Sequence, residues 1–447
     1  MKNMTNGSPL KLIFFFAMPL MFGNILQQLY TMIDTMIVGQ FVGVDALASI
    51  GAADWINWAL LGIVMGLTQG FSIRVSHTYG AQDFEKLKKI FVTIFILCMV
   101  IAIVVSLCAL LIIEPLLVLL KTPADIIQGS ITYLTIMSSG LIIVMFYNCF
   151  SCILRALGNS RIPLIAMVFS SILNIILDLF FVRVLYMGIA GAAIATLISQ
   201  LCATFFCLSF LIKNLPFHIT KEDFIFDIPM IKDLIVLGSP LAFQNMIISV
   251  GGIVVQSVVN SFGFLFVAGF TATNKLYGLL EVAAISFGYA ITTFNSQNLG
   301  AKKHERIKTG VFQASLLSLI TSVIISLCML VFGKNILMLF ISGTANEVKT
   351  VLDIAFRYLS IMAYCLPILY VLHTYRSALQ GMENTVIPMI SGIVELIMRV
   401  VIALYLPLLI GQDGIYYAEV FAWAGVAALL YISYHIQYKK IIKDSFL

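Results

Sequence analysis

Apolar stretches long enough to cross a bilayer recur along the whole of this chain and leave only short polar gaps between them. A helix needs ~20 apolar residues to span hydrocarbon. In lipid, every backbone N–H and C=O must be satisfied within such a segment. A chain patterned in this way folds as an all-α integral membrane protein. Twelve spans are expected, at about 11–37, 46–74, 90–113, 128–152, 163–183, 188–212, 233–260, 266–294, 308–333, 350–376, 386–410 and 413–438. Of the 447 residues, 61% are hydrophobic and 11% charged, which excludes a water-soluble domain.

An even number of spans places both termini on one side of the membrane. With the termini in the cytoplasm, nineteen Lys and Arg residues fall inside, and only Lys121, Arg183, Lys334 and Lys349 fall outside. Trp55 and Trp58 then sit near the outer face, where interfacial aromatics belong. The same topology accounts for the net charge of +5, so no nucleic-acid partner is called for. All eight cysteines lie in apolar spans and read as small apolar residues, and the lone CxxC of Cys149 and Cys152 carries no metal or redox signal. No small-residue cleavage site follows a short apolar core at the N-terminus, so the first span is expected to be retained. The expected setting is a prokaryotic cytoplasmic membrane, with the chain as a monomer.

The longest central polar stretch, 213–232, reads as a cytoplasmic linker between two six-span halves, 1–220 and 221–447. The halves repeat one another. Pro19 and Asn24 recur as Pro240 and Asn245, Gly80-Ala81 as Gly300-Ala301, and ALGNSRIP (156–163) as GMENTVIP (381–388). Six spans per repeat keep both halves in one orientation. Such parallel repeats are related by an axis along the membrane normal and carry their sites between halves that rock.

Buried polar groups are the candidates for chemistry. Asp34 lies inside span one, where a carboxylate costs at least ~2.5–3.5 kcal/mol and normally faces a protein interior or a watery cavity. The repeat places Val255 at the matching position, so the acid is no requirement of the repeat. Asn174 and Asp178 are four apart on span five and share a helix face. Asp178, Asp34 and Thr196 fall at similar depth, and Asn148 is level with Asn174 across the hairpin of spans four and five. Two carboxylates with amide and hydroxyl oxygens suit either of two jobs. They can bind Na+, with Asp34, Asp178 and Asn174 as ligands, or they can share a proton. An interhelical hydrogen-bond cluster is the purely structural alternative.

The second half holds Lys275, Glu281, Glu395 and Arg399 within its spans. Glu395 and Arg399, four apart, are expected to pair with each other. Glu281, with Asn245 and Gln256 of span seven, is a candidate substrate or proton site, and a pairing of Glu281 with Lys275 stays open. Asp54 and Glu419 are expected near the outer surface, solvated and structural. The chain has no HExxH, GxSxG or GxxxxGK[ST], and its five histidines are scattered singly, so it is not expected to be an enzyme or to use a cofactor. Energy for uphill transport must then come from an ion gradient or the membrane potential.

The first-span pattern of Pro19, Asp34 and Gly39, the loop HTYGAQDFEKLKK (77–89), the turn LRALGNSRIP (154–163) and LNIILDLFF (173–181) together resemble the multidrug and toxic compound extrusion (MATE) family. The resemblance implies a twelve-helix, two-lobed, V-shaped antiporter that expels organic cations and drugs in exchange for Na+ or H+. It also implies an amino-terminal cation site matching Asp34, Asn174, Asp178 and Thr196, with Asn148 beside it. Some members use acids in spans seven and ten. Here span seven offers only Gln244, Asn245, Gln256 and Asn260, and span ten has His373 and Arg376 with no interior acid, so coupling is expected to rest on the amino-terminal site. A flippase for lipid-linked saccharides, within the wider exporter superfamily, is the alternative function.

Overall fold

The computed structural model describes residues 2–215, 217–220, 223–224, 227–341 and 344–445. Among them the regular structure is helical: α1 (Pro9–Phe41), α2 (Val44–Gly80), α3 (Phe84–Leu119), α4 (Ala124–Ser139), α5 (Leu141–Ala156), α6 (Arg161–Asp178), α7 (Gly188–Asn214), α8 (Ile228–Asn260), α9 (Phe264–Gly300), α10 (His304–Leu337), α11 (Ala345–Gly381), α12 (Val386–Ile410) and α13 (Tyr417–Ser445). A π-turn, Leu179–Val184, continues α6, and a 3-10 turn, Gly411–Tyr416, separates α12 from α13. Among the described residues, ten helical segments are long and apolar enough to cross a membrane, one of them running from α12 through α13. With α12 and α13 counted apart, and with α4 and α5 counted as one span bent by 51°, there are twelve.

The bend interrupts the fourth span at Gly140, where a side chain would collide with Leu197 of α7. Large apolar side chains point outward along the bundle, among them Leu111, Leu119, Leu339 and Leu408, each at least 75% exposed. No water-soluble protein leaves this much apolar surface uncovered; here it is the lipid-facing surface.

The internal repeat is written in the backbone. Gly43 and Gly263, the residues before α2 and α9, both take positive φ (114° and 92°). Gln82 (61°) and Lys302 (57°) do so after those helices. Asn159 Oδ1 accepts from the Ile162 amide at 3.2 Å at the start of α6, and Asn384 Oδ1 accepts from the Ile387 amide at 3.2 Å at the start of α12. Pro163 and Pro388 each occupy the third position of their helix. A proline there is harmless because its missing N–H has no intrahelical partner to lose.

The chain packs as two compact units, one of Met1–Asn3 with Phe22–Ala242, the other of Met4–Met21 with Phe243–Leu447. In the first unit, Gly66 and Gly70 of α2 lie directly on the backbone of Ala242 and Gly238 at the start of α8. Small residues four apart on both helices permit that approach, the usual device where lipid supplies no hydrophobic drive between helices. The second unit centres on a stack of rings. Phe270 and Tyr358 lie 4.7 Å apart and Tyr358 and Tyr416 5.2 Å apart, with Phe266 against Tyr416 at 5.6 Å. That unit also holds residues 4–7: the Met4 N–H donates to Gln297 Oε1 (2.8 Å), and Lys303 Nζ donates to the Thr5 carbonyl (2.9 Å).

Candidate functional site

Asp34 and Tyr30 are one turn apart on α1, so both project from one face of that helix. Asp178 is the last α-helical residue of α6, where the chain passes into the π-turn. A π-turn carries one extra residue and redirects the side chains beyond it, a feature that recurs at functional sites. Asn174 lies one turn earlier on α6, and Thr196 comes from α7; Asn174 and Asp178 are fully buried.

The carboxyl groups of Asp34 and Asp178 meet side chain to side chain. Of the two orientations open to the Asn174 amide, one satisfies both ends: Nδ2 donates to Asp178 Oδ2 at 3.0 Å, and Oδ1 accepts from the Thr196 N–H at 3.2 Å. The Thr196 hydroxyl donates to the Ala192 carbonyl at 3.1 Å and bonds the Tyr30 phenol. Asp34 Oδ1 and Asp178 Oδ1 are left buried with no hydrogen-bond partner. Two partnerless carboxyl oxygens, one from each acid, are what a bound cation or a shared proton would satisfy.

Beyond the acids the helices close over apolar side chains. Ile37 and Val38 of α1, Ala46 of α2, Val182 of the π-turn and Ala192 of α7 form one buried cluster. The Arg183 guanidinium lies 5.2 Å from the centre of the Phe41 ring at the same end. Low-dielectric packing on this side strengthens every charge interaction within the site. Asp54 of α2 and Tyr133 of α4 lie near enough to interact electrostatically with Asp34.

The structure therefore brings Asp34, Asn174, Asp178 and Thr196 together. Asn148 Nδ2 instead donates to the Val144 carbonyl of its own helix at 2.9 Å. Tyr30 was missed in the sequence, although its i, i+4 relation to Asp34 was the available signal. Among the described residues no three His, Cys, Asp or Glu side chains converge to hold a metal. The acid pair with neutral oxygen partners is suited instead to a monovalent ion or a proton. Among the described residues all eight cysteines are free.

In the second unit, Glu281 of α9 faces His373 of α11, Nε2 to Oε1 3.1 Å. Lys275 is exposed and forms no ion pair among the described residues, so it is not the partner of Glu281. Gln256 donates to Asn260 one turn along its own helix at 2.9 Å, and Asn245 lies half-buried on α8. Glu395 and Arg399 pair at 2.6 Å, as their spacing implies, but the pair extends further, with Arg376 2.8 Å from Glu395 and Glu419 2.7 Å from Arg399. Glu419 is thus a buried member of an ion network and not a water-solvated surface acid. Its 13% exposure comes from packing at the start of α13, which a reading of span boundaries does not reveal.

Comparison with known proteins agrees with this architecture. The model of the MatE family matches residues 19–180 and 240–405, one block in each half. A probable multidrug resistance protein of Bacillus subtilis, YpnP, is 32% identical over 343 residues, 76% of each chain. The probable multidrug resistance protein NorM of Thermotoga maritima is 23% identical over 85% of this chain and 82% of its own. An FAD transporter of Shewanella oneidensis is 28% identical over 65% of this chain and 64% of its own. A MOP superfamily transporter from Pyrococcus furiosus, described as having a binding pocket of reverse polarity, superposes with a TM-score of 0.92 at 23% identity over 99% of both chains. An outward-facing multidrug resistance MATE family transporter superposes at 0.91, with the same identity and coverage.

Proposed function

The chain belongs to the MatE family, and from that premise we propose that it exports organic cations and related drugs across a cell membrane in exchange for Na+ or H+. It is a multi-pass membrane transporter and not an enzyme. The observation that carries the exchange reading is the pair of partnerless carboxyl oxygens, Asp34 Oδ1 and Asp178 Oδ1, buried within one unit. The names of the multidrug resistance and export relatives support small drug-like molecules as cargo.

In this reading the coupling ion is held between Asp34 and Asp178, with the Asn174 amide and the hydroxyls of Thr196 and Tyr30 around it. Its arrival relieves the repulsion between two carboxylates and so favours whichever arrangement of α1, α6 and α7 keeps them closest. Departure of the ion reverses that preference, so binding on one side and release on the other drives the conformational cycle. One charge crossing 100 mV supplies ~2.3 kcal/mol to that cycle. The cytoplasmic placement of both termini, from the positive-inside count, and a monomeric state belong to the same proposal. Arg376 and Arg399 are each committed to carboxylates, which counts against a pyrophosphate-binding flippase.

The test is efflux of ethidium from proteoliposomes under an imposed sodium gradient, and separately under a pH gradient. Transport driven by one gradient, and lost in Asp34→Asn with normal insertion, is expected. Full activity of that variant would remove Asp34 from the mechanism, and no dye movement under either gradient would turn attention to lipid-linked cargo.

A further inference from the structure

One helix of the second unit carries polar side chains that nothing in the protein answers. The rotation of α9 about its axis is fixed by its contact with α11. A side chain added at Gly269 would meet Ile354 at 2.7 Å, and one turn on the Thr273 hydroxyl donates to the Ala355 carbonyl at 2.9 Å. At ~3.6 residues per turn, the face turned away from α11 carries Thr271, Asn274 and Lys275. All three are exposed, whereas Ala272, Thr273 and Leu276 among them are buried. Lys275 lies eleven residues beyond Phe264, the first residue of α9, or ~17 Å along the helix. Its four-carbon stem cannot return the ammonium to the end of the span over that distance.

A neighbouring helix shows what lipid contact looks like in this protein. The outward stripe of α10 runs through Phe312, Leu316, Ile320, Val323 and Leu327, all apolar and all exposed. An exposed run of Thr, Asn and Lys inside a span would be costly against hydrocarbon, so the face of α9 meets water. The ammonium is not neutralised from within either. Among the described residues, Glu281 meets His373, Glu395 meets Arg376 and Arg399, and Glu419 meets Arg399. Asp353, near the start of α11, meets Lys334, and Asp413 meets Arg357. Thr271, Asn274 and Lys275 make no side-chain hydrogen bond or ion pair among the described residues. A charge and two neutral donors thus share one wet face, with no partner supplied by the protein.

We propose that Lys275, Asn274 and Thr271 form an anion-binding point on the wall of the transport path, and that exported molecules include soluble ones carrying a phosphate or carboxylate group. The ammonium supplies the charge, while the amide and the hydroxyl add donors, so several oxygens of one phosphate are met together. A carboxylate uses the same donors with fewer oxygens. A cationic group is repelled here, so the point is separate in sign and in place from Asp34 and Asp178. The inference rests on the exporter reading above and deepens it by naming a second cargo chemistry.

The test is equilibrium binding of two fluorescent probes, riboflavin and flavin mononucleotide, to the full chain in phosphatidylcholine nanodiscs. The probes share a ring system and differ by one phosphate. Wild type is expected to bind the mononucleotide about 10–100-fold more tightly than riboflavin, the worth of one charged hydrogen-bonded contact. Raising the salt concentration should shrink that preference. The comparison needs no variant and so does not depend on one folding. Lys275→Met is expected to lose the preference and Lys275→Arg to keep most of it. Equal affinity for the two probes in wild type, binding of neither, or a preference that survives in Lys275→Met would overturn the assignment. A preference that vanishes when phosphatidylglycerol is added to the nanodiscs would give the point to a lipid headgroup and overturn a soluble cargo. Ethidium efflux from the same preparation separates the two readings. Efflux without a phosphate preference overturns this inference alone, and a Lys275-dependent preference without efflux overturns the exporter reading beneath it.

Discussion

At the scale of single residues, the buried polar side chains divide by whether their partners are complete. Glu395 is bonded by two guanidinium groups, from Arg376 and Arg399. Truncation to Ala strands Arg376 inside the bundle and leaves Arg399 to Glu419 alone, and breaking a buried pair of this kind costs ~3–5 kcal/mol. Glu395→Ala should therefore lower the thermal midpoint of the detergent-solubilised protein sharply, whereas an unchanged midpoint would mean that water already reaches the arginines. Asn174 plays the opposite part. Its amide ties Asp178 Oδ2 to the Thr196 backbone and holds the acid in place without being a charge itself. Asn174→Ala should weaken coupling-ion binding by ~10–100-fold, the usual loss when a group that orients a ligand is removed. Calorimetric titration with the ion that drives efflux checks this, and equal affinity in the variant would reduce Asn174 to packing.

Among the elements, small residues decide which helices meet. Gly70 has no room for a side chain, because Gly238 of α8 occupies the space, whereas nothing lies within 4 Å of a side chain added at Gly51 on the same helix. Gly70→Leu should cost ~1–3 kcal/mol or more through overpacking, and Gly51→Ala should be close to neutral. Thermal unfolding of the two variants side by side measures the difference, and equal midpoints would contradict the close crossing of α2 and α8. In the linker, Asp223 is tied to Lys88 of α3 at 2.8 Å. Hydrogen bonds from Lys88, then from the Thr220 N–H and hydroxyl, hold its carboxyl down to about 2. A pKa lowered by folding contributes stability that is complete above the unfolded value of about 3.9 and lost only as pH falls through about 2. The linker tie is therefore constant at and above neutral pH.

For the whole molecule, each of the two units has its own buried core, and each has its own buried charges: paired acids with neutral partners in the first, a balanced ion network with one histidine in the second. A cycle that moves cargo one way needs the two faces of the membrane to be distinguished, and the basic loops distinguish them in the chain itself. In a background lacking the native cysteines, Asp223→Cys should react with a membrane-impermeant maleimide only from the cytoplasmic side, and Lys121→Cys only from outside. The reverse pattern would invert the proposed topology.

The membrane class, the helical fold and the repeat follow from the sequence by itself, because the requirement to satisfy backbone groups in lipid and the span length act segment by segment and need no knowledge of neighbours. The acids of spans one and five were legible for a similar reason: a carboxylate in an apolar helix is conspicuous wherever that helix packs. Partners were not legible. His373 beside Glu281, Arg376 beside Glu395, Glu419 in the network and Tyr30 on Thr196 depend on how each helix is rotated about its axis and which face meets which. That a side chain at Gly140 would meet Leu197, more than fifty residues away in sequence, is equally invisible there. Those choices are made by side-chain packing among helices, and only the tertiary structure records them.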